Sequence, residues 1–208
     1  MANFDLAIIG AGMAGASLAA EVGGHLRVLL LEAEEMPGYH TTGRSAAFWE
    51  ECYGGPEIVP LSRASEGYLR DGGFLSQRGA LYIGRSEDSA KLDAFEARFA
   101  DSGARFERLP SAAAQAHVPS LRAEWSEAIW QPHCADIDVA GLHQHYLKAA
   151  SAAGVELVTR ARIESIEREG DGWRLRSADG REWRVGALAN ASGAWADEVA
   201  KLAGARPL

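Results

Sequence analysis

The sequence predicts an α/β architecture: a parallel sheet covered by helices and interrupted by an inserted segment of mixed character. Three observations in the 208 residues predict it. Two apolar runs, Leu6–Ile9 and Leu26–Leu31 (LRVLLL), enclose an alanine-rich stretch. A glycine-rich turn joins the first run to that stretch. The alternation of strand and helix then stops after Glu32 and resumes only after Asp136.

The two apolar runs lack period-two alternation, which suits strands buried on both faces of a parallel sheet. Between them Met13–Val22 has helix-forming composition, and Gly23-Gly24 ends it. After Glu32 come Pro37, Gly38, Thr41, Thr42 and Gly43, which favour loop. Residues 45–136 read as mixed: helices near Pro60–Arg70 and Ser89–Ala100, strands near Leu81–Ile83 and Ala128–Trp130. Asp138 is a suitable N-cap for a helix over Val139–Ala153, with Leu142, Tyr146, Leu147 and Ala150 on one side and Gly154 as its stop. Val155–Thr159 restores the alternation of a doubly wound sheet. Trp173–Arg176 and Glu182–Val185 form a hairpin around Ala178-Asp179-Gly180, followed by a strand at Ala187–Ala191 and a helix at Asp197–Leu202.

Composition narrows the function classes. With 47% hydrophobic and 24% charged residues the composition is ordinary for a soluble globular protein. A net charge of −8 without any basic patch argues against a nucleic-acid partner, whose phosphates it would repel. The longest apolar stretch, Leu6–Ala20, is broken by glycines and shorter than the about 20 residues a membrane span needs. It also lacks the basic leader of a signal peptide, so a cytoplasmic location is expected. Cys52 and Cys134 stand far apart without C-x-x-C spacing, which predicts two reduced thiols and no metal site. His143 and His145, two apart on a helix, fall on nearly opposite sides and cannot share a metal. The pairs Glu34-Glu35 and Glu50-Glu51 read as solvated surface.

Gly10, Gly12 and Gly15 satisfy G-x-G-x-x-G between a strand and a helix. Such a turn cradles a dinucleotide pyrophosphate when the backbone can approach it and the helix start presents free N–H groups. It also requires an acid about 20 positions on to accept hydrogen bonds from a ribose. Glu32 stands 20 residues after Gly12, and its charge disfavours a 2′-phosphorylated nucleotide. FAD and NAD share the part this unit reads, so the choice between them rests on other segments. His40-Thr41-Thr42-Gly43-Arg44-Ser45-Ala46-Ala47 places small and hydroxyl side chains where a ligand longer than the pyrophosphate would pass. Asn190–Trp195 offers a second small-residue turn at a helix start.

The glycine turn with Glu32, the segments "YHTTGRSAA" and "ADIDVAGLHQHYL", and "NASGAWADEVA" together resemble the D-amino-acid oxidase superfamily of FAD-dependent oxidoreductases, and within it the D-arginine dehydrogenase branch. The resemblance spans essentially the whole chain. It implies a Rossmann-like FAD-binding domain of the glutathione-reductase and D-amino-acid oxidase type, formed by residues 1–44 and 137–208. An inserted, incomplete α+β substrate domain occupies 45–136.

It further implies that Gly10, Gly12, Met13, Ala14, Gly15, Glu32 and Ala33 hold the adenosine diphosphate half of FAD. Thr41, Thr42, Gly43, Arg44, Ser45, Ala46 and Ala47 would line the flavin and ribityl chain, Ile163 would approach the adenine, and Ala191, Gly193 and Trp195 would help enclose the cofactor. In such enzymes the α-carbon of an amino acid or related amine gives hydride to flavin, and water hydrolyses the resulting imine. Tyr53 falls where the branch places an active-site tyrosine, with a packing contact as the plain alternative. Phe48 departs from a histidine, and Arg78 falls on the substrate side, next to an Ala80 that offers no acidic partner for a cationic substrate. His40 stands near the point where some relatives attach flavin covalently, although the resemblance is closer to the noncovalent branch.

The resembling enzymes continue for about as long again, so a missing C-terminal half or a partner chain is expected, with the electron acceptor open. Two alternatives stand beside this: a noncatalytic nucleotide-binding subunit, and an NAD-linked dehydrogenase, disfavoured by the interruption after Glu32.

Overall fold

The computed structural model describes residues 3–207. In chain order the elements are β1 (Phe4–Ile9), α1 (Met13–Val22), β2 (Val28–Leu31), β3 (Phe48–Trp49), α2 (Val59–Asp71), β4 (Leu75–Gln77), β5 (Ala80–Gly84), α3 (Ser89–Phe99), β6 (Glu107–Pro110), α4 (Ser111–His117), β7 (Glu127–Gln131), β8 (Ala135–Ile137), α5 (Val139–Ala152), β9 (Glu156–Val158), β10 (Ile163–Glu169), β11 (Gly172–Ser177), β12 (Glu182–Asn190) and α6 (Ala196–Leu202). They form two compact units. One runs up to Ser45 and again from Val139 onward; the other is Ala46–Asp138.

The first unit is built on a six-stranded sheet in the order β10-β11-β12-β1-β2-β9. β12, β1, β2 and β9 run parallel, while β10, β11 and β12 form an antiparallel meander at one edge. All four residues of β2 are buried. Because successive side chains point to opposite faces, Leu29 and Leu31 pack with Ala7, Leu175 and Val185, whereas Val28 and Leu30 pack with Ile8, Ala19 and Ala150. Burial of each such leucine stabilises the fold by about 1.5–3 kcal/mol. The uninterrupted apolar run is therefore the sequence of a strand with a core on each side.

Three details of this unit differ from the sequence expectation. Leu26 is exposed, because its amide and that of His25 bond to the Val22 carbonyl and continue the helix end rather than the strand. The expected strands Glu182–Val185 and Ala187–Ala191 are one strand of nine residues, β12: its start pairs with β11 and its end, Ala187–Asn190, with β1. β10 was not apparent in the sequence. A register shift between Ile163 and Ser165 breaks the period-two pattern that would have announced it.

The second unit holds two antiparallel three-stranded sheets, β3-β8-β4 and β5-β7-β6. Cys52, Val59 and Phe99 form one buried cluster in it, with Phe95 and Phe106 packed against them. Among the described residues no helix is long and apolar enough to cross a membrane.

Candidate functional site

The turn between β1 and α1 gives its three glycines different tasks. Gly10 has φ +103°, and a Cβ there would lie 2.4 Å from the Ala191 carbonyl oxygen at the end of β12. A Cβ on Gly15 would lie 1.8 Å from the Gly10 carbonyl oxygen, so Gly15 lets the first turn of α1 settle against β1. Gly12 has an ordinary φ of −75°, and a Cβ there would meet only Thr42 Oγ1, at 3.1 Å. Gly10 and Gly15 serve close packing; Gly12 faces the cleft.

Hydrogen bonds then fix the turn from three directions. The Ala11 amide donates to Glu32 Oε2 at 3.0 Å, and the Glu34 amide donates to Glu32 Oε1 at 3.0 Å. Glu32 is thus aimed at the glycine turn from the end of β2. The Met13 amide donates to Thr42 Oγ1 at 3.0 Å. His143, buried on α5, reaches the Ala11 carbonyl with Nε2 at 2.8 Å; the carbonyl can only accept, so the proton sits on Nε2. The Gly12 and Ala14 amides bond to no acceptor among the described residues. They lie at the positive end of the α1 dipole, the arrangement that receives an anion.

Above this turn opens a cleft within the first unit. Gly10, Gly12, Glu32, Ala33, Thr41, Thr42, Ile163, Ala191, Gly193 and Trp195 line it. Met13 takes part through its amide, Ala14 is exposed at the helix start, and Gly15 is buried on the packing side. Gly43 and Arg44 lie in the short 3-10 turn Thr42–Arg44, which Ser45 ends in extended conformation, and none of these three lines the cleft. Ala46, Ala47, Phe48, Tyr53 and Arg78 belong to the second unit.

His40, singled out in the sequence, and Glu34, read there as surface, both line the cleft. Glu34 Oε1 pairs with His40 Nε2 at 3.0 Å, and the His40 ring lies 4.5 Å from that of Trp195. Arg162, Glu198 and Leu202 also line the cleft. Nothing local marks these residues; they are gathered by β10 and α6. His143, given no role in the sequence, is the least expected, since its partner is 132 residues away.

In the second unit the three substrate-side candidates stand together. The Arg78 guanidinium lies 5.0 Å over the Phe48 ring, which meets the Tyr53 ring edge-on at 6.3 Å. Arg78 Nη1 pairs with Asp136 Oδ1 at 3.1 Å. Tyr53 is 72% exposed.

Glu50 and Glu51 correct the expectation of a solvated pair: both are buried. Glu50 accepts hydrogen bonds from Tyr82 Oη and from Gln131 Nε2 at 2.7 Å. Glu51 accepts from the Arg105 amide at 2.7 Å and the Arg105 Nε at 2.9 Å. Burial pushes the nearby Cys52 thiol up to about 12, and the Glu50 and Glu51 carboxylates add to the shift. Burial likewise raises Cys134, against the opposing Arg78 hydrogen bond. Both cysteines are free.

The comparisons with known proteins accord with this geometry. The sequence profile described as DAO, FAD dependent oxidoreductase, matches residues 5–208. L-2-hydroxyglutarate dehydrogenase of Salmonella houtenae is 26% identical over 216 residues, covering 98% of this chain and 51% of that protein. Glycine oxidase from Geobacillus kaustophilus superposes with a TM-score of 0.84 at 23% identity, over 98% of this chain and 59% of that one. L-alpha-glycerophosphate oxidase from Mycoplasma pneumoniae, solved with FAD bound, gives 0.88 at 16% identity, over 97% and 57%. The chain spans about half the length of the curated relatives it matches. The curated relatives are L-2-hydroxyglutarate dehydrogenases, which corrects the expected likeness to the D-arginine dehydrogenase branch: the shared motifs do not resolve a substrate branch.

Proposed function

The chain belongs to the DAO family of FAD-dependent oxidoreductases, and we propose that its cleft holds FAD for the oxidation of a small carboxylate-bearing substrate at the carbon next to the carboxylate. The observation that carries this is the glycine turn itself: open Gly12 and Ala14 amides at a helix start, Glu32 aimed at the turn, and a Gly12 whose missing Cβ leaves the approach clear.

The residues present fit the group. The amides of Gly12 and Ala14 would meet the diphosphate, with the Met13 amide held by Thr42, Glu32 would meet the ribose hydroxyls, and Ala33 and Ile163 the adenosine. Thr41 and Thr42 would follow the chain toward the ring, with Ala191, Gly193 and Trp195 enclosing it. Gly193, at φ +59° with no atom within 4 Å of where a Cβ would stand, leaves space on that side. When bound, FAD supplies the two-electron acceptor for hydride from a substrate carbon. The tasks left to the chain are positioning and charge. Arg78 would receive a substrate carboxylate, and the exposed Tyr53 hydroxyl would orient the heteroatom on the reacting carbon, over a wall formed by Phe48.

Oxidation of a C–N bond in an amino acid or related amine is the first reading, supported by the likeness in fold to glycine oxidase. Oxidation of a hydroxy acid is the second, supported by the 2-hydroxyglutarate dehydrogenases among the relatives. A noncatalytic FAD-binding subunit that works with a partner chain is the remaining alternative. The test is a flavin absorbance spectrum of the purified protein, extended to the full gene product, followed by anaerobic addition of amino acids and hydroxy acids. Bleaching by amino acids supports the first reading and bleaching by hydroxy acids the second. FAD binding without bleaching by any of them supports the subunit, and absence of FAD binding overturns the proposal.

A further inference from the structure

The contacts around the α1 start form a closed circuit, and one side chain, His143, touches it twice. Its Nε2 donates to the Ala11 carbonyl at 2.8 Å. Its ring also fills the space beside Gly38, where a Cβ would lie 2.8 Å from Cε1 and 3.1 Å from Nδ1. Gly38, at φ +76°, in turn accepts from the Gly43 amide at 2.6 Å, which closes the loop carrying Thr42. Thr42 Oγ1 accepts from the Met13 amide, and the Ala11 amide donates to Glu32. One imidazole thus holds both segments that frame the cleft, the glycine turn and the loop after β2.

We infer that His143 is a positioning residue for the cofactor: by binding the Ala11 carbonyl from behind, it turns the peptide planes of the glycine turn so that the following amides face the diphosphate. The inference rests on the FAD reading of the cleft and adds a residue outside the glycine motif. The hydrogen bond is buried, so removing the donor strands a carbonyl that has no solvent to turn to. The carbonyl would then rotate toward the cleft, where its negative end repels a phosphate and the amide geometry is lost. Leucine at this position keeps the bulk and loses the donor. Glutamine keeps an N–H near the Nε2 position.

Three variants test this, His143→Leu, His143→Gln and Leu142→Ala. FAD affinity is read by quenching of flavin fluorescence, and amide hydrogen exchange across residues 8–17 is read on the cofactor-free chain. His143→Leu is expected to weaken FAD binding about tenfold, equivalent to ~1.4 kcal/mol, and to speed exchange at the turn. His143→Gln is expected to restore both to within about threefold of the parent. Leu142→Ala removes apolar packing from the same helix and is expected to lower the unfolding temperature while leaving affinity for FAD within the same range. The inference is overturned if His143→Leu leaves affinity and turn exchange unchanged, if leucine and glutamine are equally impaired, or if Leu142→Ala weakens FAD binding as much as His143→Leu. Failure of the parent chain to bind FAD would sink the cofactor reading alone, because the exchange comparison needs no cofactor and decides the positioning role by itself.

Discussion

Gly12→Ala separates cofactor binding from folding. The backbone at Gly12 is in a conformation any residue adopts, φ −75° and ψ −168°, so alanine introduces no backbone strain. Its methyl would meet one atom, Thr42 Oγ1 at 3.1 Å, which a small side-chain rotation relieves. Weakening the Met13–Thr42 hydrogen bond costs about 0.5–1.5 kcal/mol, and stiffening the unfolded chain returns about 0.4–1 kcal/mol. Net stability should therefore change by less than about 1 kcal/mol. Binding should respond differently. The methyl stands where a phosphate must approach the amides, and a charge-assisted amide–phosphate bond contributes about 1.5–3 kcal/mol. Losing one such contact weakens FAD by roughly 10- to 100-fold. Urea unfolding of the cofactor-free protein, paired with an FAD titration, measures both quantities. Parent-like FAD affinity in a folded Gly12→Ala protein would refute the assignment of this turn to the diphosphate.

Gly15→Ala should show the reverse pattern: its Cβ would sit 1.8 Å from the Gly10 carbonyl oxygen, so α1 must lift from β1, and the stability loss of at least about 1–3 kcal/mol should appear as a lower thermal midpoint even without cofactor. Arg105→Ala strips the buried Glu51 of the Nε hydrogen bond and the Nη2 ion pair, leaves the bond from the backbone amide in place, and should destabilise the protein by about 3 kcal/mol in urea, softened by Arg63 Nε at 3.7 Å; an unchanged midpoint would mean that the carboxylate finds water or a proton. Cys52 links stability to alkaline pH. Its folded pKa, about 12, lies above the ordinary 9.0, so the folded state holds this proton more tightly than the unfolded chain. The contribution is complete below pH 9 and is lost as pH rises from 9 toward 12; denaturation midpoints across that range should fall, and Cys52→Ala should flatten the slope. Tyr82, raised by burial and by its bond to Glu50, adds to the same alkaline loss.

What could be read from the sequence follows from how far apart the interacting residues lie. The β1–α1–β2 unit is decided by neighbours within about thirty residues: apolar runs, three glycines and one acid, all constrained by the local geometry of a crossover. The second unit was legible only in α2, α3, β5 and β7; its four other strands, α4 and the packing were not. Glu50-Glu51 shows why. As a pair it resembles Glu34-Glu35, of which Glu35 is exposed, yet Glu50 is enclosed by Tyr82 and Gln131 and Glu51 by Arg105, at separations of 32, 81 and 54 residues. No local pattern distinguishes an acid whose cation arrives from another element.

The same distinction orders the site itself. The glycine motif specifies that a helix starts close to a strand, but a turn of glycines is permissive and does not fix which way each peptide plane points. Orientation has to be imposed by groups with fixed positions, and here these come from three elements: Glu32 at the end of β2, Thr42 from the following loop, and His143 from α5. Two of the three lie in segments singled out for the ligand. They also hold the turn in the absence of one, so the amides that would meet an anion are arranged before it arrives. Preorganisation of this kind lowers the ordering cost of binding. A cradle with the same glycines and none of these three side chains would have to assemble around the diphosphate, and would bind it more weakly.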